Sequence, residues 1–198
     1  SEVADKAYRV TTDVPVTAYQ FQPICCSQSF TNDATILFPS GSLGTRYRAV
    51  SLPMFQSLPG FVSIIAGSQP TQVDVHIGEQ DIGTPSGFEI NDGVATGNLQ
   101  PYEVMTLFGR GEDAITSDLT GIEIVSTEEV SVIGGHACSN APHVYAACDH
   151  LETILMPVDA WRDEFVLAHT FHRSDRSTEV NYYRIVADTD STIIETEP

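Results

Sequence analysis

The stretch Ile122-Glu123-Ile124-Val125-Ser126-Thr127-Glu128-Glu129-Val130-Ser131-Val132-Ile133-Gly134-Gly135 alternates apolar and polar residues at each end. A period of two is the signature of a half-buried strand. We read it as a hairpin of two short strands, 122–125 and 130–133. The same period marks Tyr8-Arg9-Val10-Thr11-Thr12, Val16-Thr17-Ala18-Tyr19-Gln20-Phe21, Gln72-Val73-Asp74-Val75-His76-Ile77, Thr192-Ile193-Ile194-Glu195 and the run from Tyr102 to Phe108. Turn signals separate these runs: Asp13-Val14-Pro15, Gly67-Ser68-Gln69-Pro70, Asn91-Asp92-Gly93 and Gly97-Asn98-Leu99-Gln100-Pro101. With 14 Gly and 11 Pro spread along 198 residues, long helices have little room. One or two helical turns fit only near Val158-Asp159-Ala160-Trp161-Arg162. The expected class is all-β.

The opening stretch also belongs to an internal repeat. Segment 8–21 aligns with 122–135, Val16 falling on Val130. Thr35-Ile36-Leu37-Phe38-Pro39 recurs as Thr153-Ile154-Leu155-Met156-Pro157. Leu43-Gly44 with Tyr47 recurs as Trp161-Arg162 with Phe165, and Ile64-Ile65-Ala66 with Thr71 as Ile185-Val186-Ala187 with Thr192. The division expected is a first β repeat over 1–77, a connector with extra strands over 78–121 and a second repeat over 122–198, or all three as one composite domain. Tandem antiparallel units of sandwich or barrel type are expected, with a propeller-like arrangement as the alternative.

Charge narrows the partners. The chain carries 27 Asp and Glu against 9 Lys and Arg, a net charge of −18. Residues 101–198 hold 18 of the acidic and 5 of the basic residues, or −13 of that total. Such a surface repels phosphate backbones and anionic lipid, so nucleic-acid partners are excluded. No apolar run approaches membrane-spanning length, so membrane insertion is not expected. At 41% hydrophobic and 18% charged the composition is nevertheless that of a folded domain. Ser1-Glu2-Val3-Ala4-Asp5 has neither an initiator Met nor the apolar core of a signal peptide. It reads as a start from which a leader has been removed or excluded.

One polar constellation is dense: His136-Ala137-Cys138 followed by Cys148-Asp149-His150. A Cys138–Cys148 disulfide would close a short loop and stabilise by roughly 2–4 kcal/mol. A zinc site would draw instead on His136, both cysteines and Asp149 or His150. Residues 149 and 150 on one strand point to opposite faces, which weakens it. Cys25 and Cys26 form a vicinal bridge, remain thiols or cross-pair with the second loop. Gly109-Arg110-Gly111-Glu112-Asp113 with Asp118, and Asp188 with Asp190, are calcium candidates without EF-hand spacing. His169 and His172 read as exposed loop residues, and Trp161 as core. No nucleophile elbow, zinc helix, phosphate loop or dinucleotide fingerprint is present.

The run from Asp118 to Phe165, with Gly135-His136-Ala137-Cys138, Cys148-Asp149-His150-Leu151, Pro157 and Trp161, resembles the N-terminal domain of the IgGFc-binding protein family. Arg162 stands where the family has Gly, and Thr153 where a Gln is usual, marking a divergent member. The resemblance implies a secreted or cell-surface β-rich module, as in mucus-associated animal proteins and bacterial surface proteins. It further implies a binding or adhesive role, oxidised Cys138 and Cys148, and no catalytic residues. The expected function is a non-catalytic extracellular adhesion or protein-interaction module with a protein or glycan ligand. The alternatives are a self-assembling filament or layer subunit joined by β-edge pairing and, remotely, a zinc-dependent enzyme. No cofactor is expected beyond a candidate calcium ion.

So acidic a chain repels itself, and screening shortens that repulsion to about 10 Å at 0.1 M salt. The melting temperature should therefore rise with ionic strength or with added divalent cations. A melt that stays flat from low salt to about 0.5 M would refute this.

Overall fold

The structure, a computed structural model, describes residues 2–5, 7–22, 31–141, 148–169 and 181–197. Its strands are β1 (Glu2–Asp5), β2 (Ala18–Gln22), β3 (Asp33–Leu37), β4 (Gly44–Arg48), β5 (Gly60–Ala66) and β6 (Thr71–His76). They continue as β7 (Phe88–Asn91), β8 (Val94–Leu99), β9 (Glu103–Phe108), β10 (Glu123–Ser139) and β11 (Asp149–Ile154). Single 3-10 turns occur at Ser40–Ser42 and Val158–Ala160, and no α-helix occurs among the described residues. The protein is all-β, as its periodicity requires. No helix among the described residues is long and apolar enough to cross a membrane.

The opening stretch is one strand, not a hairpin. β10 runs through 17 residues, because Ser126-Thr127-Glu128-Glu129 contains no Gly, Pro or Asn to reverse the chain. Instead the strand bulges there. Between Val125↔Arg46 and Val130↔Gly44 it advances five residues while β4 advances two. Thr71 Oγ1 accepts the Glu128 N–H at 3.0 Å, and Ser126 Oγ donates to Glu128 O at 2.7 Å, so the bulge is held by side chains.

The partners bend with it. The first part of β10 pairs with β6 (Ile124↔Val75) and the second with β5 (Val132↔Ile64), both antiparallel. The turn signal at 67–70 therefore marks a corner: the arms on either side of it pair with β10 and not with each other. Gly67-Ser68-Gln69-Pro70 turns this corner beside the β10 bulge. The next layer repeats it, since β8 pairs with β6 and β9 with β5. Here the turn is at 100–102, and Gly97 to Leu99, expected in a turn, lie in β8. On the opposite edge of β10, β4 and β11 lie end to end. The result is a nine-stranded antiparallel sheet folded over itself, with β1 and β7 at its ends. Strands from 1–77, 78–121 and 122–198 all share it.

The core fills the inside of the corner. Val62, Ile64, Met105, Leu107, Val130 and Val132 enter from one arm, and Val73, Val75, Leu99 and Ile124 from the other, all fully buried. Each contributes about 1.5–3 kcal/mol relative to exposure, against about 0–1 kcal/mol for a surface ion pair. The apolar corner, not the charge pairs, holds the fold. Two close approaches explain glycines: a Cβ on Gly135 would lie 2.0 Å from Leu151 O, and one on Gly97 would enter the Phe88 ring at 2.5 Å. The Asp92-Gly93 turn between β7 and β8 has φ of 49° and 77°, the two left-handed residues of a tight hairpin.

The repeat is visible as geometry. β2 pairs with β3 as Tyr19↔Ile36, Gln20↔Thr35 and Phe21↔Ala34. β10 pairs with β11 as Ile133↔Ile154, Gly134↔Thr153 and Gly135↔Glu152. The registers coincide once 114 is subtracted from β10 (133 − 19) and 118 from β11 (154 − 36). Each second strand runs into a proline, Pro39 or Pro157, and then a 3-10 turn. Other expected strands are absent. Residues 8–12 and 192–195 make no ladder, because neither meets a partner strand among the described residues, and the same holds for 185–187, the repeat counterpart of 64–66.

Tyr47 ties β4 to β10 at the bulge. Its buried hydroxyl donates to Val130 O at 2.6 Å and accepts the Gly44 N–H at 2.9 Å. Tyr47→Phe leaves both backbone groups without this partner and should cost about 1–3 kcal/mol in urea unfolding. An unchanged midpoint would show the hydroxyl to be dispensable.

Candidate functional site

The dense polar constellation lies where β10 and β11 meet. Cys138 and Cys148 form a disulfide with Cα atoms 5.1 Å apart. Oxidation removes both thiolates from metal ligation or nucleophilic chemistry. His136 is fully buried. Its Nδ1 accepts the Cys138 N–H at 3.0 Å, which places the proton on Nε2, and Nε2 donates to Pro53 O at 3.1 Å. Burial is the main reason its pKa is lowered, although both backbone contacts oppose the shift. The neutral ring holds the 53 loop against β10. Asp149 is exposed and His150 buried, on opposite faces of β11. The disulfide and the two His136 bonds thus engage Cys138, Cys148 and His136, three of the candidate zinc ligands. Cys25 and Cys26 lie outside the described residues.

Sequence reasoning missed the neighbours of His150. β3 crosses the free edge of β11 and satisfies it with side chains. Thr31 Oγ1 accepts from His150 N at 2.8 Å, Asp33 Oδ2 from Glu152 N at 2.7 Å and Thr35 Oγ1 from Ile154 N at 2.9 Å. The signal was the alternation Thr31, Asp33, Thr35, with Ala34 and Ile36 on the other face. This ladder blunts an edge that would otherwise be open to pairing.

Beneath β3 a buried polar pair results. Glu152 accepts from Gln20 Nε2 at 3.3 Å and lies 3.8 Å from His150 Nε2. The His150 imidazole lies nearly parallel to Phe61, with ring centroids 5.9 Å apart. Neither His150 Nε2 nor Glu152 Oε1 has a hydrogen-bond partner among the described residues. Burial pushes the Glu152 carboxyl up, against the lowering contacts of Gln20 and His150. No third group joins the pair: among the described residues no three His, Cys, Asp or Glu side chains gather to hold a metal ion.

The acidic clusters are engaged elsewhere. Asp188 binds Arg46 and Arg48 at 2.7 and 2.8 Å, and these arginines hold its carboxyl below the usual range. Asp113 accepts the Thr116 N–H, the Thr116 hydroxyl and the Ile115 N–H, which lower its pKa in that order. Asp118 accepts from Thr120 N and from Arg184. Asp190 is exposed. His169 meets Asn181 Nδ2 through Nδ1 at 2.9 Å, and His172 lies outside the described residues. Trp161 is half-buried, its Nε1 donating to Met156 O.

Glu152 gives a signed pH test. A carboxyl whose folded pKa is raised stabilises most fully below its ordinary value of 4.5, and that contribution is lost as pH rises through the folded value. Glu152→Gln removes the penalty of a buried charge. The stability of the variant minus that of the wild type should therefore grow as pH climbs from about 4.5 to neutral. A constant difference would place the carboxylate in a fully compensated site.

Neither a curated protein nor a solved structure matches the chain. The model of one family, described as IgGFc binding protein, matches residues 33–198. That span includes β3, the disulfide loop, the His150–Glu152 pair and the whole β10 corner, and the chain belongs to the IgGFc binding protein family.

Proposed function

We propose that this protein is a non-catalytic interaction module, secreted or displayed at a cell surface, whose partner is another protein. Family membership carries the reading. The chemistry of the constellation supports it, since its cysteines form a disulfide and His136 holds two backbone groups. A disulfide of this kind belongs to oxidising compartments.

The seat for a partner is the outer face of β2 and β3. There Tyr19, Phe21 and Ile36 are exposed, with the aromatic enrichment typical of binding surfaces. Immunoglobulin Fc, the ligand in the family's name, is the first candidate. In biolayer interferometry Fc should bind. Phe21→Ala should weaken it at least tenfold, about 1.4 kcal/mol, without lowering the melting temperature. Binding only by a glycan panel, or a variant as tight as wild type, would displace this reading. A structural subunit of a surface layer is the second reading, favoured by the unpaired segments near residues 8–17 and 185–196.

A further inference from the structure

Two segments that read as strands have no partner, and the repeat says which partners they match. Within the chain, 60–76 runs antiparallel along β10, turning its corner at 67–70 beside the β10 bulge at 127–129. With the offset of 114 fixed by the matching registers of β2–β3 and β10–β11, the counterpart of that bulge is 13–15. With the offset of 121 between Ile64 and Ile185, the counterpart of 67–70 is 188–191. Both counterparts are already bent: the chain turns at Asp13 and Val14, and again from Asp188 to Ser191, where φ is 63°. The arms beside each bend are unpaired. Apart from Ala7 N to Tyr102 O, no backbone hydrogen bond joins 7–17 or 185–196 to another segment among the described residues.

Their side chains are those of a core turned outward. Val130, Ile124, Ile64 and Val73 are fully buried, whereas their counterparts Val16, Val10, Ile185 and Ile194 are 63, 81, 54 and 56% exposed. Four apolar side chains on two unpaired arms, left in water, are what an interface between protein surfaces requires.

We propose that residues 182–197 of one copy of this chain add to residues 9–21 of a second copy, as 60–76 adds to β10 within each chain. Transfer of the internal register pairs Val16 with Ala187, Ala18 with Ile185, Thr12 with Ile194 and Arg9 with Glu197. The last pair sets the single base of the acceptor arm against an acid of the donor. The donor is held to its own body by side chains: Arg184 on Asp118 and Ser51 O, and Asp188 on Arg46 and Arg48. These anchors leave its backbone edge available. The match is confined to these arms. Pro157 packs on Gly44, where a Cβ would lie 2.5 Å from the proline Cβ, and the counterpart of Gly44 is Arg162. The contact is heterologous, so it propagates from copy to copy. It goes beyond the interaction-module reading and needs no other protein.

The test is sedimentation velocity of the whole chain alone, over a concentration series in moderate salt that screens the charge of −18. Wild type should form species larger than the 21.5 kDa chain. Val16→Asp (acceptor arm) and Ile185→Asp (donor arm), both at exposed positions, should each be monomeric. Mixed one to one, they should give a species of twice the chain mass that grows no further, because each supplies the arm the other lacks. A wild type that stays monomeric, through closure of the arms on each other or otherwise, overturns the proposal. So do variants that assemble as wild type does, or a mixture that stays monomeric. Fc binding is measured separately, so loss of either result leaves the other standing.

Discussion

The fold depends on the pairing of β10 along both edges. A 17-residue strand carries more backbone donors and acceptors than one flat layer of short strands satisfies. β6 and β5 take one edge in succession, and β4 and β11 take the other. Two antiparallel partners laid end to end along one edge must change direction together with the strand they flank. The bulge at 127–129, the turn at 67–70 and the turn at 100–102 are therefore one structural event, a corner passing through three neighbouring layers. The core exists because the corner exists: Val132 faces inward across the fold from Ile124 of the same strand only because the strand bends between them.

Much of this was legible in the chain. The alternation of Gln72 to Ile77 and of Tyr102 to Phe108, the Asp92-Gly93 turn and the Thr-Ile-Leu-x-Pro repeat each encode a local event that the structure contains. What the chain did not disclose is which strands meet. Gly67-Ser68-Gln69-Pro70 has the composition of a hairpin turn, and a corner uses the same residues. Only the strand lying opposite, some sixty residues away, distinguishes the two. The unpaired stretches fail for the same reason. Tyr8 to Thr12 has good strand chemistry, but a strand needs a partner, and period two says nothing of where the partner is.

The polar constellation divides similarly. Spacing identified the pair Cys138 and Cys148 and placed Asp149 and His150 on opposite faces, both of which are properties of one strand and one loop. It could not show that His136 is tied to Pro53, or that Glu152 would be buried beneath β3, since those contacts cross the sheet. Edge protection gives Glu152 its place. Thr31, Asp33 and Thr35 cap the N–H groups of β11 with side chains, and a carboxylate between two of those capped groups is covered by the strand that caps them. An aliphatic residue there would suit the burial better. The raised pKa of Glu152 is the consequence of placing a charged side chain under a crossing strand with only one amide donor, Gln20, in reach.

Edges connect this interior device to the outer surface. β11 has its free edge blunted by β3, and the same repeat logic leaves β2 without the neighbour that β10 has in β5. One copy of the repeat is complete because the other copy threads a strand through it. The remaining halves, one bent acceptor and one bent donor, carry their apolar residues in water. Net charge then acts on this imbalance. Thirteen of the eighteen excess negative charges lie in residues 101–198, which contain the donor, while the acceptor arm carries Arg9 and little acid. An acidic body keeps copies apart at long range, where salt can screen it, while backbone pairing and buried aliphatics act only on contact. Acidity and exposed strand edges are thus compatible in one chain: the first sets the conditions for association, and the second supplies its geometry.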